Sequence, residues 1–109
     1  MKLVVWFPGL GSFANVTGNI LEFFEKDPDT DVICLSYDTY GRAGYRSAAR
    51  RLLGPLESML EPYDQVYFIG HSMGGDVISV LVTEYGLKPD KIVRIGTPPT
   101  PFKHLPNIF

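Results

Sequence analysis

One stretch of this chain carries residues whose types and order suit covalent chemistry: Gly70-His71-Ser72-Met73-Gly74. A serine stands between glycines placed two residues before and two residues after it. The apolar run Val66-Tyr67-Phe68-Ile69 precedes them, and Val77, Ile78, Leu81, Val82 and Tyr85 follow at helical spacing, with Gly86 as a stop. Strand, tight turn and helix in that order hold a serine hydroxyl exposed at the end of a sheet. Gly70 and Gly74 leave room where the chain reverses. Ser72 itself is expected in an unfavourable backbone conformation that glycine neighbours make tolerable. The helix that follows aims its amino end, and the N–H of Met73, at the place where negative charge develops on a reacting oxygen. The chemistry expected is nucleophilic attack by the Ser72 hydroxyl.

Such a serine needs a base within hydrogen-bond reach and a third group to orient that base. The sequence has two histidines. His71 adjoins the serine, and its ring is expected to point away from the hydroxyl into packing. His104 follows the serine in the chain and is the candidate base. Asp38 is placed after a strand and reads as a turn former. Asp76, one helical turn beyond Ser72, reads as a solvated or cap-region acid near a helix amino end. A second loop, Pro8-Gly9-Leu10-Gly11-Ser12, is rich in turn formers whose glycines let backbone N–H groups face an oxyanion. Trp6, Phe7, Leu10, Phe13 and Tyr40 are either the wall of an acyl-binding crevice or core.

These pieces must be positioned by a small fold. The 109 residues, 45% hydrophobic, suit one domain over 1–109 with a packed core. A net charge of −2 gives no electrostatic case for nucleic acid or an anionic membrane. The single cysteine, Cys34, excludes an internal disulfide framework and reads as a small core residue in a strand. No segment reads as a signal peptide or reaches transmembrane length, so a cytoplasmic protein is expected. Metal-ligand spacing and phosphate loops are absent from the sequence, and no cofactor is expected.

Strands are expected over residues 3–7, 31–37, 65–70 and 91–96. Helices are expected over 17–26, 45–61 and 73–85, the second kinked or split at Gly54-Pro55. Arg42, Arg46, Arg50 and Arg51 cluster near its start and read as a solvated face rather than an anion or partner site. Residues 97–109 form a proline-rich tail. Strands alternating with helices predict an α/β fold, a small doubly wound parallel sheet of four strands. In such sheets ligands bind outside the carboxyl ends of the strands, at the switch point. With the first strand between the second and third, that point separates the Pro8–Ser12 loop from Ser72.

The chain resembles the α/β-hydrolase superfamily, in particular its lipase and esterase branches. Gly70-His71-Ser72-Met73-Gly74-Gly75 is similar to the family's nucleophile elbow. Phe7-Pro8-Gly9-Leu10-Gly11 resembles the strand and oxyanion loop, and Ile95-Gly96-Thr97-Pro98 the Gly-Thr-Pro-His stretch of many lipases. Pro8 and Pro99 stand where those enzymes carry histidines. The resemblance covers nearly the whole chain but only the family's central half; the acid and base normally come from loops after later strands. It implies a strand order of 2-1-3-4 and oxyanion donation by the Leu10 and Met73 N–H groups. The reading is a serine hydrolase of ester or thioester bonds, with Ser72 as nucleophile and His104 as base, acting on a small acyl substrate. An acyltransferase shares the motif. The alternative from another class is a catalytically incomplete relative that binds a partner protein. Lys91–Ile95 is expected at the sheet edge, where it or the tail would pair two copies into a homodimer.

Overall fold

The computed structural model describes residues 1–9, 21–37 and 44–96. Four strands, β1 (Lys2–Phe7), β2 (Thr30–Cys34), β3 (Gln65–His71) and β4 (Lys91–Ile95), form one all-parallel sheet in the order β2-β1-β3-β4. The in-sequence registers Val5↔Ile33, Val5↔Phe68 and Phe68↔Ile92 fix the sheet's alignment. The central strands are continuous apolar runs because both of their faces are covered. Leu3, Val5 and Phe7 point to one face, Val4 and Trp6 to the other, and all are buried.

The first face is covered by two helices, α1 (Gly44–Leu60) and α2 (Met73–Thr83). Ala48, Ala49 and Leu56 of α1 and Val77, Ile78 and Leu81 of α2 share one core with Leu3, Val5, Phe7, Phe68 and Ile92. The Phe7 and Phe68 rings meet edge to face at 5.0 Å. On the second face Val4, Trp6 and Ile69 pack with Leu21, which belongs to a helical stretch over residues 21–25. The sheet is thus the middle layer of an α/β fold, as the alternating pattern predicts. Trp6 and Phe7 are core on opposite faces, not the wall of a crevice.

Several expectations are corrected. Strand β2 ends at Cys34 rather than at Tyr37. The Leu35 N–H still donates to the Trp6 carbonyl (3.0 Å), but Ser36 and Tyr37 turn away from the ladder. Cys34 is exposed, because β2 is an edge strand and alternation turns its inward positions, Ile33 and Leu35, to the first face. Burial of the remaining part of its surface raises the Cys34 thiol pKa, with a smaller push from Glu25. Helix α1 runs unsplit through Gly54-Pro55. A residue before proline is normally driven out of helical geometry by its Cβ, and Gly54 has none. Both residues are exposed, so water can serve the carbonyl that Pro55 leaves without a donor.

Candidate active site

The carboxyl ends of β1 and β3 lie side by side, with Phe7 opposite Gly70 in the ladder. Beyond them the chain makes the turn that the two glycines predict. A Cβ added at Gly70 would stand 2.7 Å from the Gly74 carbonyl carbon and the Gly75 nitrogen. One added at Gly74 would stand 2.0 Å from the Phe7 carbonyl oxygen. Neither neighbour is a side chain that can swing aside, so glycine is required at both places.

Ser72 sits between them at φ 53°, ψ −119°, the sole non-glycine residue with positive φ among the described residues. This conformation costs about 1–3 kcal/mol and persists only where the surroundings impose it. They do so from two sides. The Ser72 N–H donates to the Ile95 carbonyl at the end of β4 (2.9 Å), and the Gly75 N–H donates to the Ser72 carbonyl (3.0 Å). Ser72 is the N-cap residue of α2, yet its hydroxyl makes no capping bond to that helix. A serine at this position usually does cap, satisfying a free N–H of the first turn. Here the hydroxyl is withheld from that role, and Met73 begins the helix immediately after it.

The first residues after β1 reach the same place. A Cβ on Gly9 would lie 3.0 Å from Ser72 Cβ and 2.8 Å from His71 Nδ1. At the other side, the corresponding position of Gly96 lies 3.8 Å from His71 Nε2. The half-buried His71 ring therefore spans between the chain leaving β1 and the chain leaving β4. Pro8 is held in turn by Tyr37, whose hydroxyl donates to the Pro8 carbonyl at 2.5 Å. Burial pushes the Tyr37 phenol pKa well above its ordinary value, so it is a neutral donor at any working pH.

Behind the elbow, Arg94 of β4 is 2% exposed, and its guanidinium lies 4.0 Å from the Asp76 carboxylate. Asp76 lies in the first turn of α2, as expected of an acid near a helix amino end, but it is half-buried beside this cation rather than solvated. Burial raises its pKa and the Arg94 charge opposes that rise; burial lowers the Arg94 pKa and Asp76 opposes it. The pair joins the first turn of α2 to the strand whose Ile95 carbonyl holds Ser72. Sequence reading missed it, although an arginine alternating with Ile92 in an apolar strand was a legible sign of a buried cation. Tyr37 was missed because its role depends on β2 ending early.

Of the residues expected at the site, Ser72 and Met73 are brought together at the elbow. Leu10, Phe13, Asp38, Tyr40, Arg42 and His104 lie outside the described residues. Among the described residues no three of His, Cys, Asp and Glu gather as metal ligands would, and no helix is long and apolar enough to cross a membrane. The chain matches no protein-family model and no curated protein.

Proposed function

We propose that this protein is an α/β-hydrolase-like serine hydrolase that cleaves ester or thioester bonds through an acyl-enzyme. One observation carries the reading: a serine at φ 53°, ψ −119°, between two obligatory glycines, at the junction of a parallel strand and a helix whose cap it declines to be. Strained conformations of this kind collect at functional sites, where a single side chain must be presented at a fixed angle. In the proposed reaction Ser72 Oγ attacks the acyl carbon while its proton passes to a base, for which His104 is the candidate. The carbonyl oxygen becomes an oxyanion beside the amino end of α2. The Met73 N–H is one donor to it and the Leu10 N–H the second. Collapse expels the alcohol or thiol, and water then releases the acid by the same steps in reverse order.

The test is intact mass after exposure to a fluorophosphonate. Wild type is expected to gain one adduct and Ser72→Ala none, with the rate of labelling falling at least 100-fold in His104→Ala. Wild type that stays unlabelled where an ordinary esterase reacts would overturn the hydrolase reading. It would leave the strained serine as architecture in a partner-binding protein.

A further inference from the structure

A hollow at the carboxyl end of β2 plays no part in the chemistry above. Ser36 and Tyr37 form one wall, where the chain has left the sheet; Ser47, Ala48, Arg51 and Leu52 of α1 form the other, around about 270 Å³. Tyr37, Ala48 and Leu52 give it apolar surface, the two serines give hydroxyls, and Arg51 is the one charged residue among its described lining residues. None of its described lining residues carries a carboxylate.

Arg51 is the arginine that lines this hollow. Arg46 is held by Glu84 at 2.5 Å, Arg94 lies beside Asp76, and Arg50 shares a separate shallow depression with Glu84. Arg51 is exposed and has no hydrogen bond or ion pair to any described residue. The first turn of α1, at whose start the hollow lies, contains no acid. The hollow is also tied to the elbow: its Tyr37 wall bonds the Pro8 carbonyl, and the next residue, Gly9, lies against Ser72. Strands β2 and β3 are separated by β1 alone, two inter-strand spacings, or about 10 Å.

We propose that this hollow binds a carboxylate, through the Arg51 guanidinium and the Ser47 hydroxyl, and that the substrate of Ser72 carries this carboxylate. A guanidinium fork matches a carboxylate in two parallel hydrogen bonds, and the apolar walls accommodate the methylenes leading away from it. The carboxylate site stands on its own geometry; its assignment to the substrate rests on the serine-hydrolase reading. The substrate class is then a half-ester of a dicarboxylic acid, or its thioester, and suberate serves as the probe.

The test uses the full chain, ¹⁵N-labelled, titrated at low salt with suberate, an eight-carbon dicarboxylate, and with 1,8-octanediol as the uncharged control. Saturable shifts at the Gly44 and Ser47 amides are expected with suberate alone. Arg51→Met is expected to weaken them at least tenfold, and Arg50→Met to leave them unchanged. Absence of saturable shifts, or equal weakening by both substitutions, overturns the site. Turnover then tests the assignment. The p-nitrophenyl half-ester of suberic acid is expected to exceed p-nitrophenyl octanoate at least tenfold in kcat/KM, and Arg51→Met to bring the ratio to about one. Fluorophosphonate labelling of the same proteins separates the two ideas. Labelled protein without suberate binding removes the hollow and keeps the nucleophile. Suberate binding without label keeps the carboxylate site and removes its assignment to a Ser72 substrate.

Discussion

Ser72 is where this chain accepts local strain. Its backbone angles are ones that glycine adopts far more readily than any residue with a Cβ. Two substitutions that both delete the hydroxyl therefore differ in stability. Ser72→Gly is expected to be more stable than Ser72→Ala by about 1 kcal/mol or more, read from urea midpoints at equal m-values. Equal midpoints would mean that the strained geometry does not hold in solution. The glycine positions follow the opposite rule. Gly74 admits no Cβ because the Phe7 carbonyl oxygen fills that space, so the elbow is fixed by backbone against backbone rather than by adaptable side chains.

At the scale of elements, α1 carries a cost in its own sequence. Pro55 removes one helical hydrogen bond at an exposed position of a helix whose buried side is Ala48, Ala49 and Leu56. Pro55→Ala restores the donor without touching the core. It is expected to stabilise the protein by about 1–2 kcal/mol, the helix gain being partly offset by a freer unfolded chain; thermal unfolding would show it. The connection into β2 has a pH signature instead. The Asp27 carboxylate accepts from the Asp29 N–H (2.9 Å) and the Thr30 hydroxyl (3.0 Å), which lowers its pKa. A lowered folded-state pKa gives stability that is complete above the ordinary aspartate range, near pH 4, and is lost as the pH falls through the lowered value. Asp27→Asn is expected to flatten this part of the acid limb and to leave the pH dependence above about 5 unchanged. An unchanged acid limb would show that these bonds do not form in solution.

For the molecule as a whole, the sheet has β2 at one edge and β4 at the other. We propose that the β4 edge pairs with a second copy, because a row of outward N–H and C=O groups is a template for another strand. Light scattering across a hundredfold range of concentration is expected to show a mass near twice that of the 12.2 kDa chain at the upper end. A constant monomer mass would exclude the pairing. The carboxylate hollow is also a property of this scale, since its walls come from residues that strand β2 releases and helix α1 supplies.

The sequence by itself determined the periods and the punctuation. Continuous apolar runs over β1 and β3 required a sheet covered on both faces, and Gly70, Ser72 and Gly74 specified a turn that admits little else. The strand order was not fixed by the alternating pattern, which left it open; it was expected only from the resemblance to the α/β-hydrolase superfamily, and the sheet has it as β2-β1-β3-β4. The ends of elements and the pairings across them were decided elsewhere. Nothing local in Asp31 to Tyr37 says that the ladder stops at Cys34, or that Tyr37 beyond it donates to the Pro8 carbonyl, 29 residues away. Nothing local in Asp76 says that it is half-buried, since Arg94 reaches it only once β4 lies beside β3 in the register Gly70↔Arg94. Hydrophobic period is a property of neighbours along the chain, and so it survives in the sequence. Charge pairing, burial and the walls of a cavity are properties of neighbours in space, and tertiary structure alone creates them.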